Sequence, residues 1–586
     1  MTEELAFAIA PTRQAPVSGV TMVVPKHQLD AGNCEENMHV GVFFDGTNNN
    51  RDEDKPKLGH SNIVRLSDAY PDSPADGVYR IYVPGVGTPF TEIGETGHST
   101  FGNGFGLGCE SRIVFGLLAV FNSIHQRAFD DLKLFSEAQV KALCRNGPGT
   151  PLQSDEKALQ GLGMNYGLLM PDMAEGYRRQ QFFERQSSLL EKKLSAHGKP
   201  DVKECFVDVF GFSRGAAQAR VFCQWLDQSL SGGKLAGVTV RLRFVGLMDT
   251  VASAGILSGV FGTITNSTDG HKGWAVPKNL RIPESVENCV HMVAMHELRK
   301  NFPLDELGVN GVMPPHCQEF AYPGAHSDVG GGYAPGELGI SVGKTPIESD
   351  ALKLAQIPLN HMLACAVAAG VPLDKKRALD TAKNYDPFAI DPRVEQAFSD
   401  FLTVSTMAAR QMHSWLQPYL TWRWQVCKNY EQLSHVQKAD AGDKKLLVDA
   451  NKKLMRDAGL IAFKGDVSLS RRFLDFITGN PGASLKAHEY QQSELSSLDP
   501  EAPVILDIAQ KAPLTSAALA TLFDDFVHDS YAGFTKSLVE STGYWRYRKG
   551  FRGTGEATIV RNDAVDQSRV ERVASNDATD QNVARG

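Results

Sequence analysis

Cys205-Phe-Val-Asp-Val-Phe-Gly211-Phe212-Ser213-Arg214-Gly215-Ala-Ala-Gln-Ala-Arg220 is the stretch that decides how the chain is read. An apolar run typical of a buried strand stops at Gly211, and a run of small residues suited to a close-packed helix begins after Gly215. The spacing predicts a strand, a sharp turn and a helix with Ser213 at the apex, the setting in which a Gly-x-Ser-x-Gly match has chemical meaning. Glycine is required on both sides because the serine backbone is strained and the flanking chains pass close to it. A serine held this way presents its hydroxyl at the top of a sheet, which points to a serine hydrolase.

The segments around this turn supply the rest of a sheet. Met38–Phe44, Val78–Val83, Val238–Met248, Cys289–Met295 and Gln318–Tyr322 read as strands, separated by helical patterns. That alternation predicts an α/β fold, a mostly parallel α/β-hydrolase-like sheet with helices on both faces. Beyond about residue 350 helical patterns dominate, among them 350–369, 392–409 and 441–458. The organisation expected is an N-terminal extension over 1–37, a catalytic core over 38–335 with a helical insertion at about 132–200, and a helical cap over 336–520. A segment over 521–549 would return to the core, and 550–586, poor in aromatics, would form a disordered tail.

An acyl-transfer serine needs a base within reach and an acid to orient the base. Asp249 closes the next strand, and His326 lies between Pro323-Gly324 and Gly330-Gly331-Gly332. Ser213, Asp249 and His326 follow the chain order of α/β hydrolases, at loops where parallel sheets build their sites. Asp328 and Asp269 compete for the acid. For the base, His528 is the main alternative by chain order. His291 and His296 suit core positions better, and His316 is a weaker rival. Oxyanion donors are expected from Arg214, the residue after the nucleophile, and from Gly46 and Thr47 in the Asp45-Gly46-Thr47 turn. The glycines at 102, 104, 106 and 108 follow no clear strand, so they fail the dinucleotide-loop test and read as a flexible loop. The aromatic stretch with Trp415, Tyr419, Trp422 and Trp424 beside Arg423 suits either a lipid–water boundary or ordinary lobe packing, and Pro418 argues against one smooth helix.

Other properties exclude classes. The 586 residues carry a formal charge of −8 and no long basic run, which argues against nucleic-acid binding. Nine scattered cysteines form no C-x-x-C pair and read as free thiols. Metal-site spacings are missing, so no metal or other cofactor is expected. Met1–Pro25 lacks the basic and apolar regions of a signal peptide, and no run reaches the roughly 18 apolar residues of a membrane span. The expectation is a protein made in the cytoplasm that leaves, if it leaves, by a non-standard route.

Val-Gly-Val-Phe-Phe-Asp45-Gly-Thr-Asn-Asn, Gly-Phe-Ser213-Arg-Gly-Ala-Ala, Val-Gly-Leu-Met-Asp249-Thr-Val-Ala-Ser and Pro-Gly-Ala-His326-Ser-Asp-Val-Gly-Gly-Gly-Tyr occur in that order. Together they resemble the α/β-hydrolase domain of the type VI secretion phospholipase effectors, the first of the lipase-effector families, over roughly residues 38–335. Phe526-Val-His-Asp-Ser-Tyr-Ala-Gly and Tyr544-Trp-Arg-Tyr-Arg548 resemble C-terminal signatures of the same family, which usually has Asp where His296 stands. The resemblance implies an antibacterial phospholipase A acting on membrane glycerophospholipids in a rival cell's periplasm, with Ser213, Asp249 and His326 as its triad. It also implies a spike-protein carrier and a cognate immunity protein. Competing readings are an esterase or thioesterase for small soluble substrates and a non-catalytic adaptor with a relic hydrolase core.

Overall fold

The computed structural model describes residues 8–9, 36–98, 105–145, 153–164, 177–197, 202–252, 273–309, 312–382, 385–404, 412–462, 498–533, 543–551 and 557–558. The strands are β1 (Ala8–Ile9), β2 (Glu36–Phe44), β3 (Val78–Val83), β4 (Val202–Phe212), β5 (Lys234–Leu235), β6 (Val238–Met248), β7 (Val286–Ala294), β8 (Leu304–Asp305), β9 (Cys317–Tyr322), β10 (Gly550–Phe551) and β11 (Ala557–Thr558). The main sheet runs β1-β9-β7-β6-β4-β2-β3 with every neighbouring pair parallel, and β5 pairs antiparallel with β6.

Chain order explains where a site belongs on this sheet. From β2 the chain moves outward to β3, then returns to the other side of β2 for β4 and continues through β6, β7 and β9. The loops after β2 and β4 therefore leave in opposite directions and open a crevice at their carboxyl ends, the position where open α/β sheets bind ligands. The 45–50 loop follows β2 and Ser213 follows β4.

The central strands are buried on both faces, so they read as continuous apolar runs. Alternate side chains feed two cores. Phe43, Phe210, Phe244 and Met292 enter one, under the helices Asn62–Ala69 and Gln356–Ala368. Val42, Phe44, Val209 and Val245 enter the other, under Phe105–Ala128 and Arg214–Gln228. The insertion packs on the second face through Phe135, Leu143, Phe182 and Phe183. The later helices Pro392–Val404, Met412–Val426, Ala441–Ala462, Ala502–Lys511 and Ala517–Asp525 extend the first core through Phe401, Leu416, Leu454, Ile505 and Phe523.

Several expectations need correction. Residues 8–9 of the supposed extension form an edge strand against β9. Residues 550–551 and 557–558 of the supposed tail form strands that reach β8, while the rest of 559–586 lies outside the described residues. The glycine-rich segment is helical from Phe105, and 102–104 lie outside the described residues, as does Asp269. The helix expected over 350–369 divides into Pro346–Ala351 and Gln356–Ala368. Pro418 sits inside the helix Met412–Val426 instead of ending it. All eight described cysteines are free and buried.

One charged pair lies in the sheet itself. Arg243 on β6 donates from Nε and Nη2 to Asp208 on β4 at 2.8 and 2.5 Å, and Tyr70 Oη donates to the same carboxylate at 2.9 Å. Both charged side chains are fully buried. We expect R243M to lower the unfolding free energy by about 3–5 kcal/mol, because it strands a buried carboxylate. Urea denaturation measures this, and a loss below about 1 kcal/mol would contradict the expectation.

Candidate active site

Ser213 caps the helix Arg214–Gln228 with φ 60° and ψ −126°, a conformation that costs a non-glycine residue about 1–3 kcal/mol. Its neighbours explain why the turn tolerates this. A Cβ on Gly211 would lie 2.5 Å from the Gly215 carbonyl oxygen, and one on Gly215 would lie 2.3 Å from the carbonyl oxygens of Phe44 and Asp45. Glycine at both positions lets the helix seat directly on the ends of β2 and β4. Ser213 N–H donates to the Met248 carbonyl at 3.0 Å, so the turn is tied to the end of β6.

Asp249 follows β6 with φ 45°. Its carboxylate is fully buried and takes four donors. Oδ2 meets His326 Nδ1 at 2.5 Å and Arg548 Nη2 at 2.7 Å; Oδ1 accepts from Arg548 Nη1 at 2.7 Å and from Ala294 N–H at 2.8 Å. Burial alone would push the Asp249 carboxyl up, but Arg548 and His326 outweigh it and hold it well below the usual carboxylate range. Burial lowers His326 below the ordinary imidazole value despite the opposing pull of Asp249. Its Nε2 is buried without a hydrogen-bond partner, and its ring lies 4.6 Å from that of Phe212, the residue before Ser213. Ser213, His326 and Asp249 are 4%, 3% and 0% exposed, so the site is closed.

A second carboxylate also holds His326. Glu297 Oε2 accepts the His326 N–H at 3.2 Å, and Glu297 pairs with Arg299 at 2.8 Å. Burial would raise Glu297, yet Arg299 brings it down to about 2. His291 accepts the Thr250 N–H at its Nε2 (3.0 Å), which fixes the backbone just after Asp249. His296 accepts the Gly324 N–H at Nδ1 (2.9 Å) and stacks on Tyr419. Both rivals thus hold backbone in the core.

The rival acid and rival base pair with each other. His528 Nδ1 meets Asp328 Oδ1 at 2.6 Å, and its ring stacks on Tyr333 at 3.7 Å. His528 is therefore paired with Asp328, while Asp249 pairs with His326. Gly46 is also placed differently from expectation, since its N–H donates to Asp45 Oδ1 at 2.8 Å. Asp45 is held in turn by Ser61 Oγ at 2.5 Å and Tyr82 Oη at 2.6 Å, and burial raises its carboxyl to about 6. Arg214 and Thr47 remain as candidate donors, and Arg214 Nη1 also donates to Thr47 Oγ1 at 3.0 Å. The lipid-boundary reading of the aromatic stretch fails for Tyr419 and Trp422, which are buried around Phe523, while half-buried Trp424 packs edge-on against Trp545. The Trp415 side chain lies outside the described residues.

Residues 231–365 match the family model of the T6SS phospholipase effector Tle1-like catalytic domain. That segment is Tle1-like. The Tle1-like segment contains Asp249 and His326, whereas Ser213 precedes it. No curated protein matches the chain. Among solved structures, the crystal structure of an uncharacterized protein from Pseudomonas aeruginosa is similar at 22% identity and a TM-score of 0.62, covering 90% of this chain and 80% of that one. The Tle1 effector bound to the VgrG spike from the Type 6 secretion system is similar at 19% identity and a TM-score of 0.30, covering 68% of this chain and 83% of that one.

Sequence reasoning missed Arg548. The Tyr544-Trp-Arg-Tyr-Arg548 string carried the signal, because a cluster of aromatics and arginines near a chain end that packs into a core must find buried anions. We expect the His326 imidazole to titrate below 6.5 in the folded protein, as read from its ring carbon resonance in a pH series. Neutral His326 then adds stability that is complete above about 6.5, the unfolded value, and is lost as pH falls toward the folded one. A midpoint at or above 6.5 would contradict the burial argument.

Proposed function

We propose that this chain is a type VI secretion phospholipase of the A type, cleaving acyl esters of membrane glycerophospholipids through an acyl-enzyme on Ser213. The observation that supports it most is the buried Asp249–His326 pair, whose imidazole has an unpartnered Nε2 and lies 4.6 Å from the ring of Phe212, the residue before the strained Ser213 turn. The Tle1-like match supplies the substrate class.

In this reading His326 Nε2, neutral near pH 7, takes the Ser213 proton as Oγ attacks the ester carbonyl carbon. The developing oxyanion is met by the backbone N–H groups of Arg214 and Thr47. His326 then protonates the departing lysophospholipid alcohol, leaving an acyl ester on Ser213. Water, deprotonated by the same imidazole, attacks that ester; the C–Oγ bond breaks, the imidazolium returns the proton to Ser213 Oγ, and the fatty acid is released. Asp249 keeps the proton on Nδ1, so that Nε2 presents its lone pair, and stabilises the imidazolium that forms.

Delivery follows from the same family. A spike protein would carry the chain out of the producing cell, an immunity protein would protect that cell, and the periplasm of the target would be the site of action. Among the described residues no helix is long and apolar enough to cross a membrane, so contact with the bilayer would be made from its surface.

Purified protein with fluorogenic phospholipids, beside an S213A variant, tests the reading. We expect the variant to lose activity by on the order of a millionfold, and a fluorophosphonate probe to label Ser213 stoichiometrically. Undiminished hydrolysis by S213A would remove Ser213 from the mechanism. Because the site is closed, we also expect the rate to rise when a phospholipid passes from monomers to micelles. Equal or better turnover of short soluble esters would favour the small-substrate esterase.

A further inference from the structure

We infer that Arg548 is a positioning residue of the proposed hydrolysis, and that the helical lobe serves the chemistry by holding the C-terminal strap that carries it. This rests on the triad reading above. The guanidinium forks onto both Asp249 oxygens at 2.7 Å, and two further donors take the backbone carbonyls of Phe302 (2.7 Å) and Ala294 (2.9 Å). It is buried completely. A bidentate fork fixes the plane of a carboxylate as well as its charge, so Asp249 presents Oδ2 to His326 in one orientation.

The anchors of the strap come from two sides. From the lobe, Gln417 accepts from Tyr547 Oη at 2.5 Å and Asp499 pairs with Arg546 at 3.0 Å. The Leu454 carbonyl accepts from Trp545 Nε1 at 3.2 Å. From the core, β8 pairs in parallel with β10 immediately after Arg548. Arg548 thus hangs between a lobe contact on one flank and a strand on the other, so the lobe reaches Asp249 through the strap.

The charge has its own effect. The groups facing His326 are Asp249 after β6, Glu297 and Arg299 after β7, and Arg548 on the strap, acting through Asp249. With Arg548 in place, Asp249 is already compensated and favours the imidazolium less. Removing the cation returns the full carboxylate charge to His326 and makes it more basic.

Steady-state kinetics of full-length R548Q and R548K across a pH series test this, with thermal melts to establish folding. For R548Q we expect kcat to fall about 100-fold with KM kept, the loss typical of a small misplacement of a catalytic group. The acid limb of kcat/KM should move to higher pH, because the base is lost to protonation sooner. R548K keeps a cation but not the fork, so kcat should fall about 10-fold while the limb stays in place. Wild-type kcat in either folded variant would overturn the proposal, and so would a slowed, folded R548Q with an unshifted acid limb. Where R548Q does not fold, folded R548K decides by its kcat alone. An inactive S213A beside a fully active R548Q would sink this inference and leave the triad standing, whereas an active S213A would sink the triad itself.

Discussion

The buried carboxylate of Asp249 is the constraint on which the rest of the site depends. An ionised carboxylate without water costs several kcal/mol unless donors replace its hydration. Here four donors do so, arriving from three directions: the end of β7 through Ala294, the His326 loop, and the C-terminal strap through Arg548. Any two of these elements could be brought together in other ways. Satisfying one small anion with all of them fixes their mutual position, and the imidazole is oriented as a consequence. The same anion explains why a chain end is drawn into the core, since Arg548 would be as costly to bury alone as Asp249.

Backbone bonds carry this order along the carboxyl edge of the sheet. Ser213 N–H donates to the end of β6, Asp249 N–H to Met292 on β7, and Met295 N–H to Tyr322 on β9. Each bond joins the residue just past one strand to the last residues of the next. Ser213 and Asp249 pay for their left-handed backbone with these links, which extend the parallel ladder past its regular end. A shift of one strand would therefore move Ser213 and Asp249 together with the strand ends that precede His326.

Much of this was legible in the residues. Apolar runs ending in Gly211, Met248 and Tyr322 announced strands, and a parallel sheet sends the loops after them to one edge, so Ser213, Asp249 and His326 could be put on that edge without coordinates. The misses have physical causes. Ala8–Ile9 is too short to show a period, and its pairing with β9 is a long-range contact that no local pattern encodes. The Asp45-Gly46 turn looks like an exposed loop, yet Ser61 and Tyr82 bury it, and the nearest carboxylate claims the Gly46 N–H. Trp422 beside Arg423 suits a lipid boundary equally well as a core, and only the position of Phe523 decides between them. The string around Arg548 signalled a buried anion, but not which one, because the partner lies 299 residues away.

Two of the histidine–aspartate pairs share the short helix His326–Gly330. Its first residue faces Asp249; its third, Asp328, takes His528 on one oxygen and the Ala325 N–H on the other. Asp328 therefore caps the helix that presents His326, and His528 steadies that cap from the C-terminal side. The chemistry of the two pairs is the same, and their surroundings separate them. His326 lies against Phe212 on the serine turn, whereas His528 is stacked face to face on Tyr333. A histidine clamped by a carboxylate at Nδ1 becomes a base only where its other nitrogen has a proton to collect. Neither Nε2 has a hydrogen-bond partner, so the neighbouring ring, Phe212 for one and Tyr333 for the other, is what distinguishes the two pairs and favours the proposed assignment of His326.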